Sequence, residues 1–143
     1  MMQAPSQEQQ HEVGESTATI RAYGTNVLQF VVRGHLSVEV ARLLMTVADR
    51  LIEEGVKVHT FNDWEAVTGY DLMSRVEMTR DVFENRNKFL STHILVHSVE
   101  VALGVEVANI VLKNKIHLHR DRATFETALQ RVLQQEERST QTL

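Results

Sequence analysis

The chain has no cysteine, a single proline and a single tryptophan in its 143 residues. Without cysteine there are no disulfides, no thiolate catalysis and no thiolate metal sites. No apolar run approaches the roughly 18 residues that span a membrane, so integral membrane association is not expected. Basic residues are outnumbered as well: 15 Lys and Arg stand against 19 Asp and Glu, for a net charge of −4. They form no long run or stripe, so nucleic-acid and anionic-membrane binding lack their electrostatic footprint. The opening residues Met1–Gln10 have neither the basic nor the apolar region of a secretory signal. The expectation from these absences is a cytoplasmic protein that binds no nucleic acid.

What is present is an ordinary globular composition, 43% apolar and 24% charged, long enough for one domain with a sizeable core. Residues 1–16 are rich in Gln, Glu and Ser, and their low hydrophobicity predicts a mobile tail. Residues 135–143 read the same way, which leaves a domain over 17–134. Within it, strand and helix patterns alternate. Thr17–Tyr23 and Val27–Arg33 flank a turn at Gly24-Thr25-Asn26 and read as a hairpin. Ser37 is a candidate N-cap for a helix over Val38–Glu54, with Val40, Leu43, Leu44, Val47 and Leu51 at helical spacing. A third strand covers Val56–Phe61. Asp71 can cap a helix over Leu72–Lys88, Ser98 one over Val99–Leu112, and Asp121 the terminal helix. Thr92–His97 and Lys115–Arg120 are the remaining strands. The order β-β-α-β-α-β-α-β-α predicts an α/β fold with a mixed, mostly parallel five-stranded sheet covered by helices.

Between the third strand and the next helix lies Thr60-Phe61-Asn62-Asp63-Trp64-Glu65-Ala66-Val67-Thr68-Gly69-Tyr70-Asp71. It reads as a loop with Thr68-Gly69 at its turn, at the sheet edge where open α/β folds place ligands and partners. The terminal pattern is Asp121-Arg122-Ala123-Thr124-Phe125-Glu126-Thr127-Ala128-Leu129. Together with the element order and the Asp-Trp pair, these residues resemble the STAS superfamily, in its SpoIIAA-like branch of small bacterial proteins. The resemblance covers about residues 17–134. It implies a non-enzymatic, regulatory interaction module that binds a protein partner or a second copy of itself. In anti-sigma-factor antagonists of this superfamily the loop reads Asp-Leu-Ser-Gly-Val, then Asp-Ser-Ser-Gly, and one serine is phosphorylated to switch partner binding. Here Asp63-Trp64-Glu65-Ala66-Val67 is similar to the first part and Asp71 matches the second Asp. Leu72 and Met73 stand where the serines belong, and Ser74 comes too late and inside the helix. The chain therefore departs from the family at its phosphorylation switch.

Read by their own chemistry, Asp63, Trp64, Glu65, Thr68, Tyr70, Asp71, Ser74 and Arg75 are the candidate partner or ligand residues. Trp64 can plug the gap between sheet and helix, or with Tyr70 it can anchor a partner. Asp63 and Glu65 can accept hydrogen bonds in the loop or pair with Arg75. Two carboxylates also invite acid/base chemistry, but no nucleophile or substrate-holding cations accompany them, so no residue is assigned a catalytic role.

Of seven histidines, His59, His93, His97, His117 and His119 fall in predicted strands. Imidazoles from neighbouring strands can converge on a metal. No helical His-Glu-x-x-His spacing occurs, however, and strand neighbours at i and i+2 stand nearly 7 Å apart, so neither metal nor cofactor is assigned. Their number predicts a pH-sensitive fold. The segment Val99–Leu112 is apolar around most of its circumference, which points to deep burial or an interface. Relatives in the SpoIIAA-like branch are sometimes grouped with CRAL-TRIO lipid-binding domains. That grouping implies a second expectation, a carrier or sensor of a small apolar ligand or lipid held between helices and sheet.

Overall fold

A computed structural model describes residues 3–141. Six strands form one sheet in the sequential order β1-β2-β3-β4-β5-β6. They are β1 (Gln7–Val13), β2 (Ser16–Tyr23), β3 (Val27–Leu36), β4 (Val58–Tyr70), β5 (Phe89–Val96) and β6 (Ile116–His119). The helices are α1 (Val38–Glu53), α2 (Leu72–Glu84), α3 (Val99–Val111) and α4 (Arg122–Gln141). β1, β2 and β3 pair antiparallel in succession, and β3 to β6 run parallel. The expected α/β architecture holds, with six strands in place of five.

The additional strand is β1, in the segment read from composition as a tail. Composition measures how much apolar surface a segment can bury, but β1 gains its order from main-chain pairing with β2 across a two-residue turn at Gly14-Glu15. Gly14 has φ +60°, a conformation that glycine adopts without steric cost. Arg21 and Glu8 form a 2.6 Å ion pair across the two strands. The polar side chains suit a sheet edge, where an apolar strand would invite further pairing. At the other end, α4 continues to Gln141, and Glu136 accepts hydrogen bonds from His59 Nε2 at 3.0 Å and Asn26 Nδ2 at 3.2 Å. Residues 135–141 are thus helical, which corrects the second expected tail. Residues 1–2 and 142–143 of the two expected tails lie outside the described residues.

The parallel strands succeed one another in one direction across the sheet, and right-handed crossovers moving one way deliver their helices to one face. Leu44 of α1, Met78 and Val82 of α2, and Val101 and Val105 of α3 accordingly share one apolar core with Leu28, Phe30, Val32 and Ile94 of the sheet. On the opposite face Phe125, Leu129, Val132 and Leu133 of α4 pack on Tyr23, Val27, Phe61 and Leu95. Ser37 and Ser98 accept hydrogen bonds from Val40 N and Val101 N as N-caps, and Asp121 Oδ1 accepts from Thr124 N.

Candidate functional site

The stretch expected to be a loop is the second half of β4. Residues 62–70 continue the strand, rich in the β-branched and aromatic types that fit a pleated surface: Trp64, Val67, Thr68 and Tyr70. Gly69 is not a turn residue, since it pairs with His35 of β3 and has no positive φ. Register shifts opposite Val31/Arg33 and Gly34/His35 each place one extra residue in β4. Each such bulge reverses which side chains face which side of the sheet. As a result Trp64, Val67 and Tyr70 all contribute to the core beneath α1, α2 and α3, although their spacing is not a simple alternation.

Asp63 and Glu65 point the other way, toward α4. Arg122 Nη2 lies 3.0 Å from Asp63 Oδ2 and 2.9 Å from Glu65 Oε1, while its Nη1 lies 3.5 Å from Glu126. Hydrogen bonds to Glu65 and Asp63 raise the Arg122 pKa further above its ordinary value, against a smaller opposing effect of burial. The expected pairing of these acids with Arg75 is therefore corrected. Asp63 and Glu65 face α4, whereas Arg75 lies on the opposite face and donates to Tyr70 Oη at 3.5 Å.

Tyr70, Arg75 and Trp64 line a cavity between the sheet and the three helices. It holds roughly 100 Å³ and its walls are almost wholly apolar, with Leu44, Ile94, Val105 and Ala108 among them. Trp64 is only 6% exposed, and its Nε1–H has no hydrogen-bond partner among the described residues. Over the cavity lies α2, whose only buried residue is Ser74 and which rests chiefly on α1 and α3 rather than on the sheet. One ion pair holds it to α1, Arg42 donating to Glu77 at 2.9 Å, and the Asp49 and Asp81 carboxyls of the two helices are neighbours. Burial, and then the neighbouring Asp49, carry the Asp81 carboxyl up to about 7.

The remaining candidates are dispersed. Thr68 is exposed. Asp71 does not cap α2 with its side chain; its carboxylate takes His35 Nε2 at 2.8 Å and Val38 N at 3.3 Å, tying the start of α2 to the start of α1. The hydrogen bond from His35 is the main cause of a lowered Asp71 pKa. Ser74 is 0% exposed and donates to Leu36 O at 2.9 Å. Just before it, Leu72 and Met73 face solvent. Of the eight candidate residues, the cavity gathers Trp64, Tyr70 and Arg75, and the others lie elsewhere. Sequence reasoning missed Arg122 and the Asp49–Asp81 pair. It also missed the cavity residues from α1 and α3. The readable signal for the cavity was the β-branched and aromatic content that extends β4 past Phe61.

His97 lies just past the end of β5 rather than in a strand, whereas His93, His117 and His119 meet on the α4 face. His93 stacks on Phe61 at 4.4 Å and on His117 at 4.6 Å, and its Nδ1 lies 2.9 Å from His119 Nε2. Their proton positions follow from the chain of bonds. Thr124 donates its hydroxyl to Asp121 O, so Thr124 Oγ1 accepts from His119 Nδ1–H, and His119 Nε2 accepts from His93 Nδ1–H. Burial, and then the nearby imidazoles, lower His93 to about 3, and burial also lowers His119. Among the described residues no cluster has metal-binding geometry.

One further surface stands out. Val99, Leu103, Val107, Ile110 and Val111 of α3 are exposed, Ile110 by 78%. They recur at intervals of three and four residues and so form a stripe along one side of the helix. The deeply apolar helix is thus half core, through Val101, Ala102, Val105 and Ala108, and half open surface.

No protein-family model matches the chain, and no curated protein matches it by sequence. Its structure is similar to the crystal structure of an uncharacterized protein of the DUF3478 family with a SpoIIAA-like fold, from Shewanella loihica PV-4. The two superpose with a TM-score of 0.51 over 86% of this chain and 92% of the other, at 13% sequence identity. The likeness shows the fold, and the chain has a SpoIIAA-like fold. No helix among the described residues is long and apolar enough to cross a membrane.

Proposed function

We propose that the chain is a non-enzymatic, SpoIIAA-like interaction module that binds a protein partner, or a second copy of itself, through the start of α2 and the outer side of α3. The exposed apolar stripe Val99, Leu103, Val107, Ile110 and Val111 carries this reading, with Leu72 and Met73 adding exposed apolar surface on the neighbouring helix. Contiguous apolar surface is costly to leave in water and marks contact sites in soluble proteins. Leu72 and Met73 occupy the positions of the superfamily's switch serines, and Ser74 is buried. The proposed contact is therefore independent of phosphorylation there. Sedimentation velocity on wild type and on a Leu103→Glu/Val107→Glu variant tests it. The expected result is a complex that the variant loses while its melting temperature stays within a few degrees. Identical sedimentation of the two would reject the reading.

A second reading, favoured by the apolar cavity, is that the protein holds a small ligand beneath α2. The volume of roughly 100 Å³ suits a compact molecule rather than a lipid chain. Native mass spectrometry of the untagged protein is expected to show a bound species of low mass. An apo mass at every collision energy would count against it.

A further inference from the structure

We infer that the cavity beneath α2 takes a compact, neutral, mainly apolar molecule bearing one hydrogen-bond acceptor, and that the indole N–H of Trp64 donates to that acceptor. This rests on the ligand reading above and assigns the chemistry of its occupant. The cavity is lined by Trp64, and the indole Nε1–H is buried with no partner among the described residues. A buried donor left unpaired costs about 1–3 kcal/mol, so its persistence calls for an acceptor that arrives from outside the chain. Water is a poor candidate, because it needs two to four polar partners and nearly all of the accessible wall is apolar, with Leu44, Ile94, Val105 and Ala108 part of it. Several of the polar lining groups are engaged already: Asn62 Nδ2 donates to His93 O, Arg75 donates to Tyr70 Oη, and Asp81 Oδ1 accepts from Asn85 Nδ2.

Size and charge narrow the class further. A volume of roughly 100 Å³ is about two-thirds of the roughly 150 Å³ of an apolar cavity that accepts one six-membered carbon ring, so the occupant is at most about the size of such a ring. Apart from Arg75 and Asp81, both on α2, the lining offers an ion no counter-charge, so beside Trp64 on the sheet the acceptor is a neutral oxygen such as a ketone, ester or ether. The covering helix α2 has Ser74 as its only buried residue, which makes it the element whose displacement would admit the molecule.

The chain has one tryptophan, so its indole N–H gives a single resonance in a ¹H–¹⁵N spectrum. Cyclohexanone and methylenecyclohexane are the probes: they match in shape and differ in the acceptor. The expected result is that cyclohexanone shifts the indole proton downfield and binds wild type about fivefold more tightly than Trp64→Phe, the worth of one hydrogen bond. Methylenecyclohexane should shift the methyl signals of Ile94 and Val105 without moving the indole proton downfield, and should bind both proteins to within about twofold. If both probes shift the methyl signals but the ketone neither moves the indole proton nor loses affinity in Trp64→Phe, this inference is overturned and the ligand reading stands. If neither probe shifts the methyl signals up to its solubility limit, both are overturned. Should Trp64→Phe fail to fold, the indole shift in wild type decides the matter alone.

Discussion

Arg122 Nη2 lies 3.0 Å from the Asp63 carboxylate although 59 positions separate the two residues in the chain. Asp63 is almost fully buried, whereas the Arg122 side chain is about two-fifths exposed. The pair joins the middle of β4 to the first turn of α4, the helix that covers the opposite face of the sheet from the cavity. Removing the cation leaves a buried carboxylate without its main partner, which is costlier than losing both charges. Arg122→Ala is therefore expected to lower unfolding free energy by about 2 kcal/mol, a value discounted for the exposure of the guanidinium. The double variant Asp63→Asn/Arg122→Ala should recover about half of that loss. Urea denaturation of the four proteins measures the coupling, and simple additivity would contradict it.

Trp64 and Leu103 are expected to separate stability from association. Trp64→Ala empties a core position and should cost about 3–5 kcal/mol in urea denaturation, while sedimentation of the remaining folded protein is unchanged. Leu103 is 56% exposed, so Leu103→Glu should do the reverse. A Trp64→Ala protein of wild-type stability that had lost association would instead make the indole a surface anchor.

Ser74 is expected to tolerate only small, neutral replacements. Ser74→Ala removes one hydrogen bond to Leu36 O, which still accepts from Asp71 N at 3.2 Å, and should cost about 1 kcal/mol. Ser74→Glu forces a carboxylate into a fully buried site and should cost about 3 kcal/mol or more. Circular-dichroism melts of both variants check this. A Ser74→Glu protein as stable as wild type would reopen this position to phosphorylation.

A buried histidine and a half-buried carboxyl give pH dependence of opposite sign. His93 has a folded-state value of about 3, below its ordinary 6.5. As pH falls below 6.5 the unfolded chain takes up the proton first, and stability is lost between 6.5 and 3. Asp81 has a folded-state value of about 7, above its ordinary 3.8. Its protonated form contributes stability at low pH, and this is lost as pH rises toward 7. Each slope is about 1.4 kcal/mol per pH unit at most, so between roughly pH 4 and 6.5 they oppose and the wild type should vary little. Asp81→Asn should expose the histidine slope, leaving the protein about 2 kcal/mol less stable at pH 5 than at pH 7. His93→Phe, which keeps the stack on Phe61, should expose the other slope and make the protein about 1–2 kcal/mol more stable at pH 5. Urea midpoints at pH 5, 6 and 7 measure both. Parallel profiles for the two variants would refute the assignment.

Much of the fold was legible in the chain because its signals are local. Ser37 and Ser98 announce helix starts through side chains that bond the third residue onward. Val40 and Leu44 announce a buried helix face through their spacing. The run Gln7–Val13 was not legible, because an edge strand is ordered by main-chain bonds that do not depend on side-chain polarity. The same limit hid α4 beyond Gln134, where Glu136 is tied to His59 from 77 positions away.

The stretch from Asp63 to Arg75 divides in the same way. Sequence alone determined that acids, an indole and a phenol occur together just before a helix, and that Leu72 and Met73 follow Asp71. Tertiary structure decided what those residues face. Alternation along β4 sends Asp63 to Arg122 and Trp64 to the cavity, and two bulges then bring Val67 and Tyr70 to the side of Trp64. A side chain's type is written in the chain, but its direction depends on strand register and on distant residues, which only the assembled sheet supplies.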